Sequence, residues 1–206
     1  MSYCTVEDLR AEGVSEEDYT DEQLEELIAA SCEFIDRVTG QWFELRAKSI
    51  RLDGRGGQNL VLPVFLFEAY SVSVNHEEIN DYILYNRMED RAYPKIFRCA
   101  GWPRGRMNIN VSGLWGYVEE DGFTPPAIKR AAMKLALYHF PALSDSNAQE
   151  ENAVRGLLVS ETTDGHSYSL SGSAVAEAYS GAITGDAEID GILKSYMRSR
   201  FRMAIV

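Results

Sequence analysis

Apolar positions recur at intervals of three and four through the first forty residues, then alternate from about residue 49, then return to helical spacing after residue 124. The opening pattern predicts two helices. Thr5 with Asp8, and Thr20 with Gln23, have the spacing of capping boxes, in which two orphan helix N–H groups are satisfied reciprocally. The first helix is expected to stop at Gly13. The second carries Leu24, Leu27, Ile28, Ser31, Phe34, Ile35 and Val38 on one stripe, with Gly40 as its C-terminal stop. Leu24, Leu27, Ile28, Phe34, Ile35 and Val38 are the expected helical core.

The middle of the chain reads as short strands, at 49–53, 59–64, 71–75, 81–85, 95–99, 107–111 and 113–117, separated by turn residues. Gly54-Arg55-Gly56-Gly57 reads as a hairpin connection between the first two. Such runs suggest a small antiparallel sandwich or barrel. Beyond it, Thr124 is a candidate N-cap with proline at the first helical position, ahead of a stripe of Ile128, Ala131, Ala132, Leu135 and Tyr138. A further helical stretch is expected at 145–159. Residues 160–185 are rich in Ser, Gly, Thr and Ala, and a last helix is expected at about 187–203. The predicted class is therefore α+β: a helical core built from both ends (1–43 plus 124–159), an inserted antiparallel β module (44–123), and an extended C-terminal tail ending in a helix (160–206).

Charge changes this picture by giving the chain a polarity. Its 206 residues carry 32 acids against 20 bases, a net charge of −12. Residues 1–50 alone hold 13 acids and 4 bases, and no acid follows Asp190. A surface this acidic repels nucleic acid and anionic lipid, which disfavours a DNA-wrapping or membrane-surface protein. Cys4, Cys32 and Cys99 are widely spaced and odd in number, consistent with thiols in a reducing compartment rather than a disulfide framework. The N-terminus has no basic-then-apolar leader, and the apolar run 60–67 is far too short to span a membrane.

Candidate chemistry is sparse. His76-Glu77-Glu78 opens like a zinc-protease box but lacks the second histidine, so a turn between strands explains it better. The Gly54–Gly57 loop lacks the Lys-Ser/Thr pair of a phosphate loop. His166 with Asp164 has no nucleophile elbow, and Glu119-Glu120-Asp121 has no calcium-loop spacing. No catalytic, cofactor or metal residue is assigned. A hydrolase site across the β module and a glycan-binding face using Trp42, Trp102 and Trp115 stand as alternatives; core and turn packing is the commoner use of such tryptophans. The tail residues Tyr196, Arg198, Arg200, Phe201 and Arg202 have the composition of an interface anchor.

Taken in order, these motifs resemble a known family. Thr5-Val-Glu-Asp-Leu9, Leu24-x-x-Leu-Ile28-x-x-Ser-Cys-x-x-Ile35-Asp36-x-x-Thr39-Gly40-x-x-Phe43, Arg51-Leu-Asp-Gly54, Leu60-x-Leu-Pro63, Ile109-x-Val-x-Gly113-x-x-Gly-Tyr117 and Pro125-Pro-x-Ile-Lys-x-Ala131 are similar to tailed-phage head–tail connector (adaptor) proteins, including prophage and gene-transfer-agent relatives. The resemblance covers roughly residues 3–140. It implies a structural virion protein without cofactor or catalysis, assembled in the host cytoplasm and located at the head–tail interface. It also implies a dodecameric ring under the portal protein that extends the DNA channel, lets DNA pass without specific binding, and receives the stopper or tail-completion protein. The portal contact would fall on the C-terminal tail.

Overall fold

The computed structural model describes residues 2–85, 92–119, 121–138, 160–163, 166–169 and 183–197. The class is α+β, with helices and a small antiparallel sheet. The chain divides into two compact units, one of residues 40–126 and one that combines residues 2–39 with 127–197.

In the second of these, helix α1 (Val6–Ala11) and helix α2 (Asp21–Thr39) start where the capping boxes predict. Thr5 N–H donates to Asp8 at 2.9 Å and Asp8 N–H to Thr5 at 3.3 Å. Thr20 and Gln23 exchange the equivalent pair at 2.9 and 3.4 Å. Gly40, at φ 66°, ends α2 in the left-handed region that favours glycine. Leu24, Leu27, Ile28 and Ile35 are buried, while Phe34 and Val38 are half-buried. Ser31, Cys32 and Thr39 share the buried face, because the two hydroxyls satisfy themselves one turn back, on the carbonyls of Leu27 (2.8 Å) and Ile35 (2.7 Å).

Helix α3 (Pro126–Tyr138) contributes Ile128, Ala131, Ala132, Leu135 and Ala136, all fully buried. Its Thr124 does not cap it. The Thr124 hydroxyl donates to the Phe43 carbonyl at 2.7 Å, inside the β unit, and the helix starts one residue beyond Pro125. The expected helix at 145–159 lies outside the described residues. Within the small-residue stretch, β7 (Ser160–Thr163) and β8 (His166–Ser169) pair as a two-stranded sheet.

The last helix, α4 (Ala187–Tyr196), ends earlier than the apolar pattern predicts. It packs against α2, and its Ile189 and Leu193 are fully buried. The helix placed by sequence at the end of a tail is thus built into the helical unit, because two apolar side chains one turn apart have a core to enter.

In the β unit, one sheet contains β1 (Arg46–Gly54), β2 (Asn59–Val74), β3 (Glu77–Glu78), β4 (Ile83–Tyr85), β5 (Tyr93–Phe97) and β6 (Gly105–Trp115). The strand order is β1-β6-β2-β5-β4, with β3 beside β2 and every pair antiparallel. Two pairs of predicted short strands are single long ones here. β2 pairs with β5 through its first half and with β6 through its second, with register shifts between Val61 and Leu66 and again before Ser71. Leu60, Leu62, Val64, Leu66, Val72 and Val74 lie at even spacing on its inner face and join Ile96, Ile109, Val111, Trp102 and Trp115 in one cluster.

The Gly54–Gly57 connection is not a hairpin. β6 lies between β1 and β2, so the loop crosses the end of β6. The physical reason is burial: β6 alternates through Ile109, Val111, Gly113 and Trp115, and a strand this buried requires pairing along both edges. Glycine is required at 54, where a Cβ would fall 1.8 Å from the Pro103 carbonyl oxygen.

Candidate functional site

The chemistry weighed from sequence disperses in the fold. Asn75 and His76, at φ 51° and 73°, form the tight turn from β2 to β3, as a turn between strands requires. Glu119 and Asp121 lie in a closed loop in which Gly122 N–H donates to the Glu119 carbonyl at 2.9 Å and Phe123 N–H to Asp121 Oδ1 at 3.1 Å. Among the described residues, no group of three or more His, Cys, Asp or Glu could hold a metal ion. Asp164 and Glu120 lie outside the described residues. Trp102 and Trp115 are 2% and 0% exposed, with their indole N–H groups donating to the carbonyls of Gln58 (3.1 Å) and Lys48 (2.9 Å). Trp42 lies under the Arg46 guanidinium, 4.9 Å away. Two of the three tryptophans are therefore core, which removes them from any sugar-stacking face.

Of the expected interface anchor, Tyr196 is half-buried at the end of α4; Arg198, Arg200, Phe201 and Arg202 lie outside the described residues. The start of α4 is firmly held. Asp186 caps it through Glu188 N–H (2.8 Å) and Ile189 N–H (3.0 Å). Lys134 of α3 reaches both Asp186 (3.0 Å) and Glu188 (2.8 Å), and Arg130 pairs with Glu188. Asp190, buried, receives Ile183 N–H, Thr184 N–H and the Thr184 hydroxyl at 2.7 to 2.8 Å. Burial opposes its ionisation, but those hydrogen bonds prevail and hold its pKa below the usual carboxylate value. Asp8 is likewise lowered, first by its hydrogen bond from Lys129 of α3 at 2.7 Å.

A feature that sequence reading missed sits at one end of the β sheet. Gly54 of β1 and Gly105 of β6 are cross-strand partners, which brings Arg55 beside Arg104 and Arg106. Arg104 packs against Gly56, and Arg51 lies two residues inside β1 from Asp53. All four arginines are exposed, and none forms an ion pair among the described residues. Arg51, Arg55 and Arg106 line two adjoining clefts, and Arg104 lies beside them against Gly56. A cleft of about 320 Å³ takes Arg51 and Arg55 on its rim with Leu60, Leu62 and Trp102 on its floor. A second of about 250 Å³ is lined by Arg51, Arg106, His76 and the polar Ser73, Asn108 and Asn110. Arg51 and Met107 belong to both.

Met107 is the unusual residue. It has φ 51°, is 63% exposed, and its N–H donates to Asp53 Oδ1 at 2.7 Å. A non-glycine residue in this region is uncommon, and an exposed thioether held there presents a soft apolar contact. Arginine, methionine and a partly apolar cleft are the composition of a protein-contact surface rather than of a catalytic site. The signal available in sequence was four arginines flanking two glycine-rich turns; only the strand order brings those turns together.

No protein-family model and no curated protein matches the chain. Solved structures do. One similar chain belongs to the neck of an empty gene transfer agent particle computed with C6 symmetry, at TM-score 0.56 and 16% identity, covering 95% of this chain and 89% of that one. Another belongs to the virion of a native gene transfer agent particle, at TM-score 0.54 and 16% identity with the same coverage. At that identity the likeness is one of fold, and it extends over nearly the whole of both chains.

Proposed function

We propose that this chain is a structural protein of a tailed-phage or gene-transfer-agent particle, acting as the head–tail connector (adaptor). In this reading it forms a ring beneath the portal protein, extends the DNA channel, and receives the stopper or tail-completion protein. The observation that carries it is the near end-to-end fold likeness to chains of a gene transfer agent neck and virion. The ordered sequence motifs that resemble adaptors support it from an independent direction. So does charge: the acidic surface suits a channel through which DNA must move without adhering.

Within this reading the ring is dodecameric, and Tyr196 with the arginines and Phe201 beyond it reaches the portal. The test is loss of function in the particle. Deleting the coding sequence should leave DNA-filled heads that carry portal but no tail, and electron microscopy of wild-type particles should place the chain between portal and tail. Tailed particles in the deletion strain would overturn the proposal.

A further inference from the structure

We propose that the arginine-rimmed end of the β sheet receives the acidic ridge of helix α2 from a second copy of this chain, so that each copy supplies one half of the contact. The inference rests on the connector reading only in making the second copy a ring neighbour. Its evidence is that the two surfaces carry opposite charges left unpaired among the described residues. Residues 2–39 contain 12 acids and only two bases, Arg10 and Arg37. Both bases are already engaged, with Asp21 and Glu33. Glu22, Glu25 and Glu26, all exposed on α2, have no cationic partner among the described residues. On the β unit, Arg46 pairs with Glu44 and Arg98 with Asp81, whereas Arg51, Arg55, Arg104 and Arg106 have no ion pair among the described residues.

Shape agrees with charge. On α2, Glu22, Glu26, Ala29 and Glu33 recur at three and four residues and so share one face, with Ala29 exposed. A small side chain in the middle of an acidic ridge lets the helix backbone approach closely. Across from it, Met107 and Val61 are 63% and 48% exposed beside the cleft and would lie against such a ridge. Duplex DNA would use the arginines but not these apolar side chains, and the remaining acidic surface would repel it. A contact of one surface with a different surface of the next copy is heterologous, the type that closes rings.

The test uses the full chain in sedimentation velocity, with sodium chloride varied from about 20 to about 500 mM, a range over which exposed ion pairs become screened. Self-association that weakens as salt rises is expected. Arg51→Glu with Arg104→Glu should raise the dissociation constant about thirtyfold, as should Glu22→Lys with Glu26→Lys. Placing all four substitutions in one chain reverses both surfaces and should restore association to within about threefold of the original. Circular dichroism checks that each variant folds; Arg51→Gln with Arg104→Gln and the salt series of the unaltered chain answer the question where a reversal does not.

Absence of salt-sensitive self-association, or failure of the fourfold reversal to restore it, overturns the proposal. So does an arginine reversal that abolishes only binding to a duplex DNA probe, which would make this a nucleic-acid face. Charge-swap rescue in a chain absent from the head–tail junction would sink the connector reading and leave this contact standing; a chain found at that junction but indifferent to the swaps would do the opposite.

Discussion

Asp53 on β1 and Met107 on β6 are joined by a 2.7 Å hydrogen bond from the Met107 N–H to Asp53 Oδ1, at the point where the ladder between the two strands shifts register. The carboxylate replaces a ladder carbonyl and stabilises a backbone conformation at φ 51° that methionine seldom adopts. Asp53→Ala removes the acceptor and should destabilise the β unit by about 1 kcal/mol. Asp53→Asn retains an amide oxygen and should cost less. Urea unfolding followed by tryptophan fluorescence separates the two, since all three tryptophans lie in that unit; equal losses would mean that charge, not acceptance, matters.

Asp190 fixes the turn before α4. Asp190→Ala leaves Ile183 N–H and Thr184 N–H without their acceptor and should cost about 2–3 kcal/mol, a typical loss for hydrogen bonds to a charged group. Asp8, Asp186 and Asp190 all titrate below their ordinary values in the folded chain. Their stabilisation is therefore complete above the unfolded carboxylate pKa of about 4 and is lost as pH falls through the lower folded values. Thermal melts by circular dichroism should be flat from about pH 7 to about pH 5 and fall below about pH 4. A stability that rises on acidification in that range would contradict this assignment.

Thiol labelling should report the fold directly. Cys99 is exposed, whereas Cys4 and Cys32 are buried. Burial, with smaller contributions from Cys32 and Asp8, pushes the Cys4 thiol up to about 12, so almost no thiolate is present near neutrality. A chromogenic disulfide reagent at neutral pH should titrate a single thiol rapidly in the native chain. The other two should react only on unfolding, and Cys99→Ser should abolish the fast phase.

Truncation after Val159 tests how the last helix is used. The cut removes Ile189 and Leu193, both fully buried, with the partners of Arg130 and Lys134. Losing two such side chains forfeits about 3–6 kcal/mol of apolar burial, so the helical unit should melt at markedly lower temperature. An unchanged melt would mean that α4 is an appendage. Removal of residues 198–206 alone spares these contacts and should leave the melt where it is.

Much of the local structure was legible from residue pattern. Capping boxes at Thr5 and Thr20 act over three residues, so they form as soon as the helix does. The stripe through Leu24, Ile28 and Ile35 follows from helical geometry alone. The α+β class follows from the change of period. Thr124 has the local signature of a cap, but its hydroxyl donates instead to Phe43, a residue 81 positions away.

The sequence by itself determined where the described helices lie, where most of them begin, and which side chains are apolar enough to be buried; those properties depend on neighbours within one or two turns. Tertiary structure alone decided that β6 separates β1 from β2, that 59–74 is one bent strand, and that α4 belongs to the helical unit. It also gathered Arg51, Arg55, Arg104 and Arg106 at one sheet end. Strand order minimises exposed apolar face over the whole sheet, and that is a sum over residues fifty and more positions apart, with no trace in any local window.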